Sequence, residues 1–291
     1  MNTYKKPYII AEIGCNHKGD MQIAKELIQM AKIFCNVDAV KFQKRHNIEL
    51  LTEEQYNSPH PNPSNSYGDT YGAHREYLEF DVAQHQELKT FCESIGIDYS
   101  TSVWDLTSAK EIASLQPKFI KIPSACNNNI TMLKWLCEHY KGELHISTGM
   151  TTKSEIEDLV QLFSKHNRAK DLVLYNCTSG YPVPFEDVCL LDINLLIENY
   201  GNQVKHIGFS GHHLGIAVDI AAYTLGAPII ERHYTLDRTW KGTDHAASLE
   251  PMGLRKLSRD LNAVHKALTF KSQDILPIEQ VQRDKLKNQK G

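Results

Sequence analysis

Short apolar segments alternate with longer amphipathic segments along most of this chain. The first apolar segment covers residues 8–13, and Asp20 precedes a segment in which Ile23, Leu27 and Ala31 recur at helical spacing. Apolar residues every three or four positions form one face of a helix, whereas a short continuous apolar run is typical of a strand buried on both faces. The pattern therefore predicts strands that are covered by helices.

This alternation continues to about residue 268 of the chain. Eight apolar segments are predicted as strands, each followed by a predicted helix, and they cover residues 8–13, 37–42, 97–101, 119–122, 143–147, 172–175, 205–209 and 227–230. Eight such units in about 260 residues are what a (β/α)8 TIM barrel requires. No linker divides the pattern, so we expect one α/β domain over residues 1–270.

Two segments depart from the alternation. Residues of about 46–80, between the second predicted strand and its helix, form a polar insertion rich in proline and asparagine. A connection of this length is usually either functional or disordered, and the aromatic and charged residues of 67–80 favour a functional role. Residues 271–291 form a polar C-terminal tail that we expect on the outside of the barrel.

Composition argues against several classes of partner. The chain has 32 Lys and Arg against 35 Asp and Glu, so no polybasic surface indicates nucleic acid or an anionic membrane. No apolar run approaches the roughly 20 residues that span a bilayer, and no signal peptide is recognisable. The seven dispersed cysteines favour reduced thiols. We therefore expect a cytoplasmic protein that acts on small molecules.

Two histidines follow the seventh and eighth predicted strands. His212 comes just after the seventh, while Glu231 and His233 stand two residues apart on the eighth, so their side chains leave the same face. The active sites of TIM barrels lie at the carboxyl ends of the strands, where these groups can converge on a divalent metal ion. The alternative is that both histidines are ordinary polar residues near strand ends.

Two lysines, Lys41 and Lys121, end otherwise apolar strands. A buried lysine is costly unless an anion pairs with it, so both are predicted to face one. Polar residues follow the other strands at the same end and could complete a phosphate or carboxylate site, although a serine or threonine there can equally cap a helix. They include Glu12, Gln43, Ser100, Thr101, Ser124, Ser147, Ser179, Tyr181 and Ser210.

Seven motifs stand at the predicted strand ends: AEIGCNHKGD (11–20), VKFQK (40–44), YGAHREYLEF (71–80), KIPSACNN (121–128), STGM (147–150), NCTSGYPVPFEDV (176–188) and the segment 208–251. Together they resemble the sialic acid synthase family, which comprises N-acetylneuraminate synthases and relatives that make legionaminic and pseudaminic acids. The resemblance spans residues 7–253 with the motifs in the same order. It implies a metal-dependent condensation of phosphoenolpyruvate with an aldehyde sugar, which releases phosphate and gives a 3-deoxy-2-keto sugar acid.

The resemblance also implies roles for individual residues. His212 and His233 would hold Mn²⁺ or Mg²⁺, and a homo-oligomer is expected. Glu12, Lys121 and Asp244 are the implied catalytic residues, with Gln43 and Tyr181 near the sugar and the reacting carbons. Phosphoenolpyruvate would be bound by Lys41, Thr101, Lys121, Ser124, Ser147, Ser179 and Ser210.

Three departures from the family pattern concern the sugar side. Cys126 replaces a glutamate of the strand-four motif, and Gly211 replaces the aspartate that usually precedes the first metal histidine. The small antifreeze-like domain that contributes an arginine to the acceptor sugar in this family is not expected here. The resemblance thus implies the reaction type but leaves the acceptor open, including an aldose that would give an eight-carbon acid.

The insertion offers a replacement for that arginine. It follows the second strand and so emerges at the catalytic end of the barrel, and it carries Arg75. We expect it to cover the site as a lid, with Arg75 contacting the sugar. The alternative is that Arg75 pairs with Glu76 or Glu79 at the surface, a contact worth under about 1 kcal/mol.

Two other functions remain open on the sequence. One is a different metal-dependent barrel, such as a sugar-phosphate aldolase or isomerase, which would not need two strand-end lysines beside so many hydroxyls. The other is a catalytically impaired barrel retained for binding, which the two substitutions favour and the retained histidines and lysines oppose.

Overall fold

The computed structural model describes residues 4–287 and shows parallel strands joined in sequence order into a closed barrel. The eighth strand pairs with the first, which closes the sheet. This confirms the prediction of a single α/β barrel domain. The strands are β1 (Tyr8–Gly14), β2 (Ala39–Lys44), β3 (Asp98–Val103), β4 (Phe119–Ile122), β5 (Glu143–Ser147), β6 (Leu172–Asn176), β7 (His206–Gly211) and β8 (Ile229–His233).

Helices surround the barrel and begin at side-chain caps that the sequence supplies. The carboxylate of Asp20, for example, accepts hydrogen bonds from the backbone amides of Gln22 and Ile23, which satisfies two amides that the first helical turn leaves free. The helices are α1 (Met21–Gln29), α2 (Asn47–Leu50), α3 (Glu53–Asn57), α4 (Tyr71–Tyr77), α5 (Val82–Ile95), α6 (Leu106–Ser114), α7 (Ile130–His139), α8 (Lys153–Lys165), α9 (Asp192–Tyr200), α10 (Ala217–Thr224), α11 (Pro251–Ala267) and α12 (Pro277–Leu286).

Several boundaries differ from the sequence prediction. The second, third, seventh and eighth strands extend two or three residues further toward the active end than their apolar segments do, because polar residues there still take part in the sheet. After the seventh strand, the apolar segment 214–225 predicts a helix, but α10 begins only at Ala217, since Gly215 adopts a left-handed conformation with φ of 75° that a regular helix does not permit.

The barrel interior is layered. Its lower part is filled by a small apolar cluster that includes Ile10, Phe119, Val173 and Ile229. Side chains alternate along a strand, so the next inward position on each of these strands lies one layer higher. In that upper layer the sequence supplies charged groups instead, among them Glu12, two residues after Ile10. The main apolar core lies between the strands and the helices.

The insertion forms the short helices α2, α3 and α4 rather than an irregular loop, and these pack against one another. Gly19, with φ of 74°, lies against the backbone of Tyr77 where a β-carbon would collide. The Tyr67 hydroxyl donates to the Lys241 carbonyl at 2.5 Å. The insertion is therefore fixed both to the loop after β1 and to the loop after β8.

The predicted tail contains the helix α12, none of whose residues is buried, and residues 288–291 lie outside the described range. All seven cysteines are free thiols. None of the helices in the described part of the chain combines the length and apolarity needed to cross a bilayer.

Candidate active site

A cavity of about 460 Å³ opens at the carboxyl ends of the strands. Its lining brings together almost every residue predicted from the sequence, although those residues are spread over more than two hundred positions. The predicted residues that line it are Glu12, Lys41, Gln43, Arg75, Lys121, Ser124, Ser147, Ser179, Tyr181, Ser210, His212, His233 and Asp244.

Four buried charged side chains form the floor of this cavity. The Lys41 ammonium group contacts the Glu12 carboxylate and lies 3.9 Å from an oxygen of Glu231. The Lys121 ammonium group lies 3.2 Å from the other oxygen of Glu231. Two lysines thus face two glutamates, and the floor carries no net charge. The sequence suggested Glu231 as a partner of the metal histidines, but its carboxylate pairs with the two lysines instead.

Burial and the neighbouring charges shift the pKa values of the floor residues in different directions. Burial raises the pKa of Glu12, and Lys41 only partly opposes this. Burial would raise the pKa of Glu231 too, but Lys121 and Lys41 together outweigh it and lower that pKa to about 2. Burial lowers the pKa of Lys121, with Glu231 opposing. Glu12 is therefore the better proton acceptor of the two carboxylates.

Serine hydroxyls ring the floor. Ser210 donates to Glu231 at 3.2 Å, and Ser124 accepts from the Gly149 amide at 3.0 Å. A β-carbon on Gly149 would collide with the hydroxyls of both Ser124 and Ser179, so this glycine allows the two to approach each other. These hydroxyls face the same space as the lysines.

The structure places Thr101 elsewhere than predicted. Its side chain points out of the barrel, where its hydroxyl donates to the Tyr99 hydroxyl at 2.7 Å, and it does not line the cavity. The next residue, Ser102, faces inward and accepts from the Lys41 ammonium group at 2.6 Å. Because side chains alternate along a strand, a shift of one residue exchanges the two faces. Ser102 therefore replaces Thr101 as the hydroxyl of this strand.

The two histidines present free nitrogen lone pairs. His212 Nδ1 lies 3.0 Å from the Thr178 carbonyl oxygen; a carbonyl only accepts, so Nδ1 carries the proton and Nε2 is free. Burial, with His233 adding to it, lowers the pKa of His212 to about 3 and keeps the ring neutral. His233 Nδ1 is buried without a hydrogen-bond partner, 4.0 Å from a carboxylate oxygen of Asp244.

These donors fit a divalent metal ion. The two imidazole rings have centroids 5.3 Å apart, and neutral imidazole is a common metal ligand. Among residues 4–287, no group of three or more His, Cys, Asp or Glu side chains is arranged to hold a metal. The histidine pair would therefore leave further coordination positions open to water or substrate. Tyr181 lies beside the pair, its ring centroid 4.4 Å from that of His212.

A buried ion pair supports the histidines from outside the cavity. Arg232, between Glu231 and His233 on β8, points away from the cavity and donates to Asp219 at 2.5 Å. The same arginine donates to the carbonyl of His213 at 2.6 Å. Since His213 follows His212 directly, this arginine ties the end of β7 to β8.

The insertion forms one wall of the cavity. Arg75 lines it, with the guanidinium carbon 5.4 Å from the ring centroid of Tyr71 and 5.8 Å from that of Trp104. Within residues 4–287, Arg75 forms no ion pair with Glu76 or Glu79, and the Glu79 carboxylate accepts instead from Arg45 Nε at 2.5 Å. Arg45 and Trp104 also line the cavity. The sequence analysis missed both, although each directly follows the last residue of a strand.

The two substitutions noted in the sequence have different surroundings. A β-carbon on Gly211 would lie 2.7 Å from the Phe209 ring and 2.8 Å from the His213 ring, so a larger residue requires these rings to move. Cys126 is buried near the wall. Burial raises its thiol pKa to about 12, Asp105 acts in the same direction, and Arg75 opposes. The thiol is therefore neutral.

Known proteins share both the sequence and this architecture. N-acetylneuraminate-9-phosphate synthase from Homo sapiens is 39% identical over 287 residues, which are 96% of this chain and 76% of that protein. N,N'-diacetyllegionaminic acid synthase from Campylobacter jejuni is 34% identical over 265 residues, which are 91% of this chain and 78% of that protein. The crystal structure of N-acetylneuraminic acid synthetase from Leptospira borgpetersenii with citrate superimposes with a TM-score of 0.80 at 29% identity, covering 98% of this chain and 93% of that one.

The match to the NeuB family itself covers residues 27–273. Together with these relatives, it confirms the predicted enzyme class, a synthase of the nonulosonic acid type. This chain belongs to the NeuB family.

Proposed function

We propose that this protein condenses phosphoenolpyruvate with an aldose, giving a 3-deoxy-2-keto sugar acid and inorganic phosphate. The observation that carries the proposal is the cavity floor, where two buried lysines and five serine hydroxyls face the same space as two histidines. An aldolase or isomerase would not need this density of anion-binding groups.

Phosphoenolpyruvate would occupy the floor. Lys41 and Lys121 would hold its phosphate and carboxylate as point charges, and Ser102, Ser124, Ser147, Ser179 and Ser210 would donate hydrogen bonds. In the free enzyme the lysines pair with Glu12 and Glu231. On binding, the lysines would therefore exchange their glutamate partners for the anionic groups of the substrate. The hydrogen bonds from the serines would favour the bound state.

The bond-forming step joins carbon 3 of phosphoenolpyruvate to the aldehyde carbon of the sugar. The aldehyde oxygen gains negative charge and is protonated, while carbon 2 becomes cationic and is captured by water. Loss of phosphate with cleavage of its carbon–oxygen bond leaves a ketone at carbon 2. The water's oxygen becomes the ketone oxygen; one of its protons balances the proton gained by the aldehyde oxygen, and the other leaves with the phosphate.

We assign Glu12 as the group that orients that water and accepts its proton. Its carboxylate accepts a hydrogen bond from Gln43 at 3.2 Å, which fixes its orientation, and its raised pKa makes it a better proton acceptor than an ordinary carboxylate. Lys121 would balance the charge of the departing phosphate. Asp244 and Tyr181, beside the histidines, would contact the sugar near its aldehyde.

A divalent cation, Mn²⁺ or Mg²⁺, would bind between His212 and His233. When bound, such an ion supplies Lewis acidity to an aldehyde oxygen as negative charge grows on it. The chain's own contribution is to keep the His212 imidazole neutral through burial and to present both imidazoles to the cavity. A homo-oligomer and a cytoplasmic location stay predictions.

The experiment is consumption of phosphoenolpyruvate with a panel of aldoses, with and without added Mn²⁺ or Mg²⁺. We expect turnover with N-acetylmannosamine or a related aldose, loss of turnover after chelation, and loss of bound metal in His212→Ala and His233→Ala while the barrel stays folded. A pentose as the preferred acceptor would indicate an eight-carbon product.

Two results would contradict the proposal. Aldol cleavage or isomerisation of a sugar phosphate without phosphoenolpyruvate would indicate the other class of barrel enzyme. Binding of phosphoenolpyruvate with no turnover for any aldose would indicate an impaired barrel.

A further inference from the structure

Among residues 4–287, Arg75 is a buried cation that forms no ion pair. Its side chain is 8% exposed, it lines the cavity, and its Nε has no hydrogen-bond partner. Within residues 4–287, its close contacts are the faces of the Tyr71 and Trp104 rings. Burying a charged group is costly unless it is paired, so this arginine lacks the partner that its position calls for.

The nearby acidic groups cannot supply that partner. Both oxygens of Glu79 are engaged by Arg45, one by its Nε and the other by its backbone amide at 3.0 Å. Glu76 is exposed at the surface. The thiol of Cys126 is close enough to interact with Arg75 but is neutral. Burial lowers the pKa of Arg75 and Arg45 lowers it further, while Tyr71 and Glu79 oppose this only in part.

A second donor in the same wall is also unpaired. The indole Nε1 of Trp104 is buried without a hydrogen-bond partner, and the Trp104 ring is one of the two on which Arg75 packs. Buried donors are ordinarily satisfied by an acceptor. Two unpaired donors side by side in a cavity wall therefore indicate a ligand with several acceptor oxygens and negative charge.

We propose that Arg75, with Trp104, binds a phosphate group carried by the acceptor sugar. This inference rests on the proposed condensation and names the class of its second substrate, an aldose phosphate. An arginine fork matches phosphate geometry and offers several donors to it. The names of the two relatives differ on this point, since one includes a phosphate and the other does not, so the assignment depends on the wall itself.

The position of Arg75 decides which substrate carries the phosphate. The floor already provides two lysines and a ring of hydroxyls for phosphoenolpyruvate. Arg75 lies instead on α4, in the wall that the insertion builds. The aldehyde must reach the histidines at the ends of β7 and β8, so the group that meets Arg75 is at the other end of the sugar.

The test compares N-acetylmannosamine, its 6-phosphate and the corresponding 6-carboxylate as acceptors, by kcat/KM from phosphoenolpyruvate consumption. We expect the wild-type enzyme to prefer the 6-phosphate over the free sugar by roughly 10- to 150-fold, the range for a hydrogen bond to a charged group. Arg75→Met should remove most of this preference by lowering kcat/KM for the phosphate, and Arg75→Lys should retain part of it.

Calorimetric titration of the 6-phosphate into each folded variant supplies a readout that does not require turnover. Arg255→Met is the matched control, because Arg255 also packs on an aromatic ring, 4.5 Å from the centroid of Phe34, but on α11 outside the cavity. It should behave as wild type with all three sugars.

Several outcomes would overturn the inference. They are equal use of the free sugar and the 6-phosphate by the wild type, preference for the 6-carboxylate, or an Arg75→Met defect confined to the KM for phosphoenolpyruvate. Turnover of free sugar that is independent of Arg75 would remove the inference and leave the condensation intact. Binding of the 6-phosphate that depends on Arg75, without turnover of any aldose, would remove the condensation and leave the inference intact.

Discussion

The floor and the wall of the cavity differ in how their charges are satisfied. In the floor, each lysine contacts a glutamate before any ligand binds. In the wall, Arg75 is also buried, but it forms no ion pair within residues 4–287 and packs against the faces of two aromatic rings. The charges that the barrel places in the floor thus compensate one another. The insertion adds a positive charge that a substrate anion could neutralise. In the floor, a bound anion would replace the glutamates as the partner of the lysines. In the wall, it would be the first anionic partner of Arg75.

The strongest test of the balanced floor is Glu231→Gln. The amide keeps the shape of the side chain but leaves Lys121 and Lys41 with one carboxylate between them. We expect a loss of about 3–5 kcal/mol in the free energy of unfolding, the usual cost of removing one partner of a buried ion pair. Chemical denaturation at neutral pH measures it. The control is Glu87→Gln, which removes an exposed pair with Lys25 and should cost under about 1 kcal/mol.

The same pair of proteins tests the pH dependence. The pKa of Glu231 is about 2 in the folded protein and 4.5 ordinarily, so its stabilisation is fully present above pH 4.5 and is lost as the pH falls toward 2. The difference in stability between wild type and Glu231→Gln should therefore shrink in that window. A constant difference would show that the carboxylate does not gain its stability from the lysines.

The wall should respond to an added carboxylate. Cys126→Asp places a negative charge beside Arg75, and we expect it to weaken binding of an aldose 6-phosphate by roughly tenfold, since it competes for the guanidinium. Cys126→Asn has a similar shape without the charge and should have a much smaller effect. Calorimetry on both variants decides this, and equal effects would mean that Arg75 is not the cation that binds the phosphate.

The smallest expected effects come from variants that distinguish the roles of Ser102 and Thr101 on β3. Ser102→Ala removes a hydroxyl that faces the floor and should raise the KM for phosphoenolpyruvate by roughly 2- to 10-fold, as for a typical hydrogen bond. Thr101→Val removes the bond to Tyr99 outside the barrel and should lower the melting temperature without changing that KM. The opposite result would restore Thr101 as the substrate ligand.

The sequence predicted the fold because apolar segments and helical spacing recur eight times, and it located most of the cavity because strand ends converge in a barrel. Its error at β3 has a local cause. Ser100, Thr101 and Ser102 are consecutive hydroxyl residues, so hydropathy cannot tell which of them faces inward. Only the pairing of β3 with β2, which sets Lys41 beside Ser100, determines the faces.

The partner of Arg75 could not be predicted because it depends on where a short helix ends. Glu79 lies four residues after Arg75, the spacing of a helical ion pair, but α4 ends at Tyr77 and the spacing no longer applies. Glu79 instead meets Arg45, 34 residues earlier in the chain. That contact joins the start of the insertion to its end, and no local pattern encodes it.

Arg232 has a consequence for how the histidine pair could respond to loss of its ion. Neighbouring residues of β8 face opposite ways: Glu231 and His233 enter the cavity, while Arg232 joins Asp219 and the backbone of His213 behind it. The spacing of the two imidazoles is thus maintained by contacts that an ion does not make. Such a pair is preorganised, so little conformational entropy would be lost if the proposed ion bound there. Exchange of one divalent ion for another would then require no refolding of the strand ends.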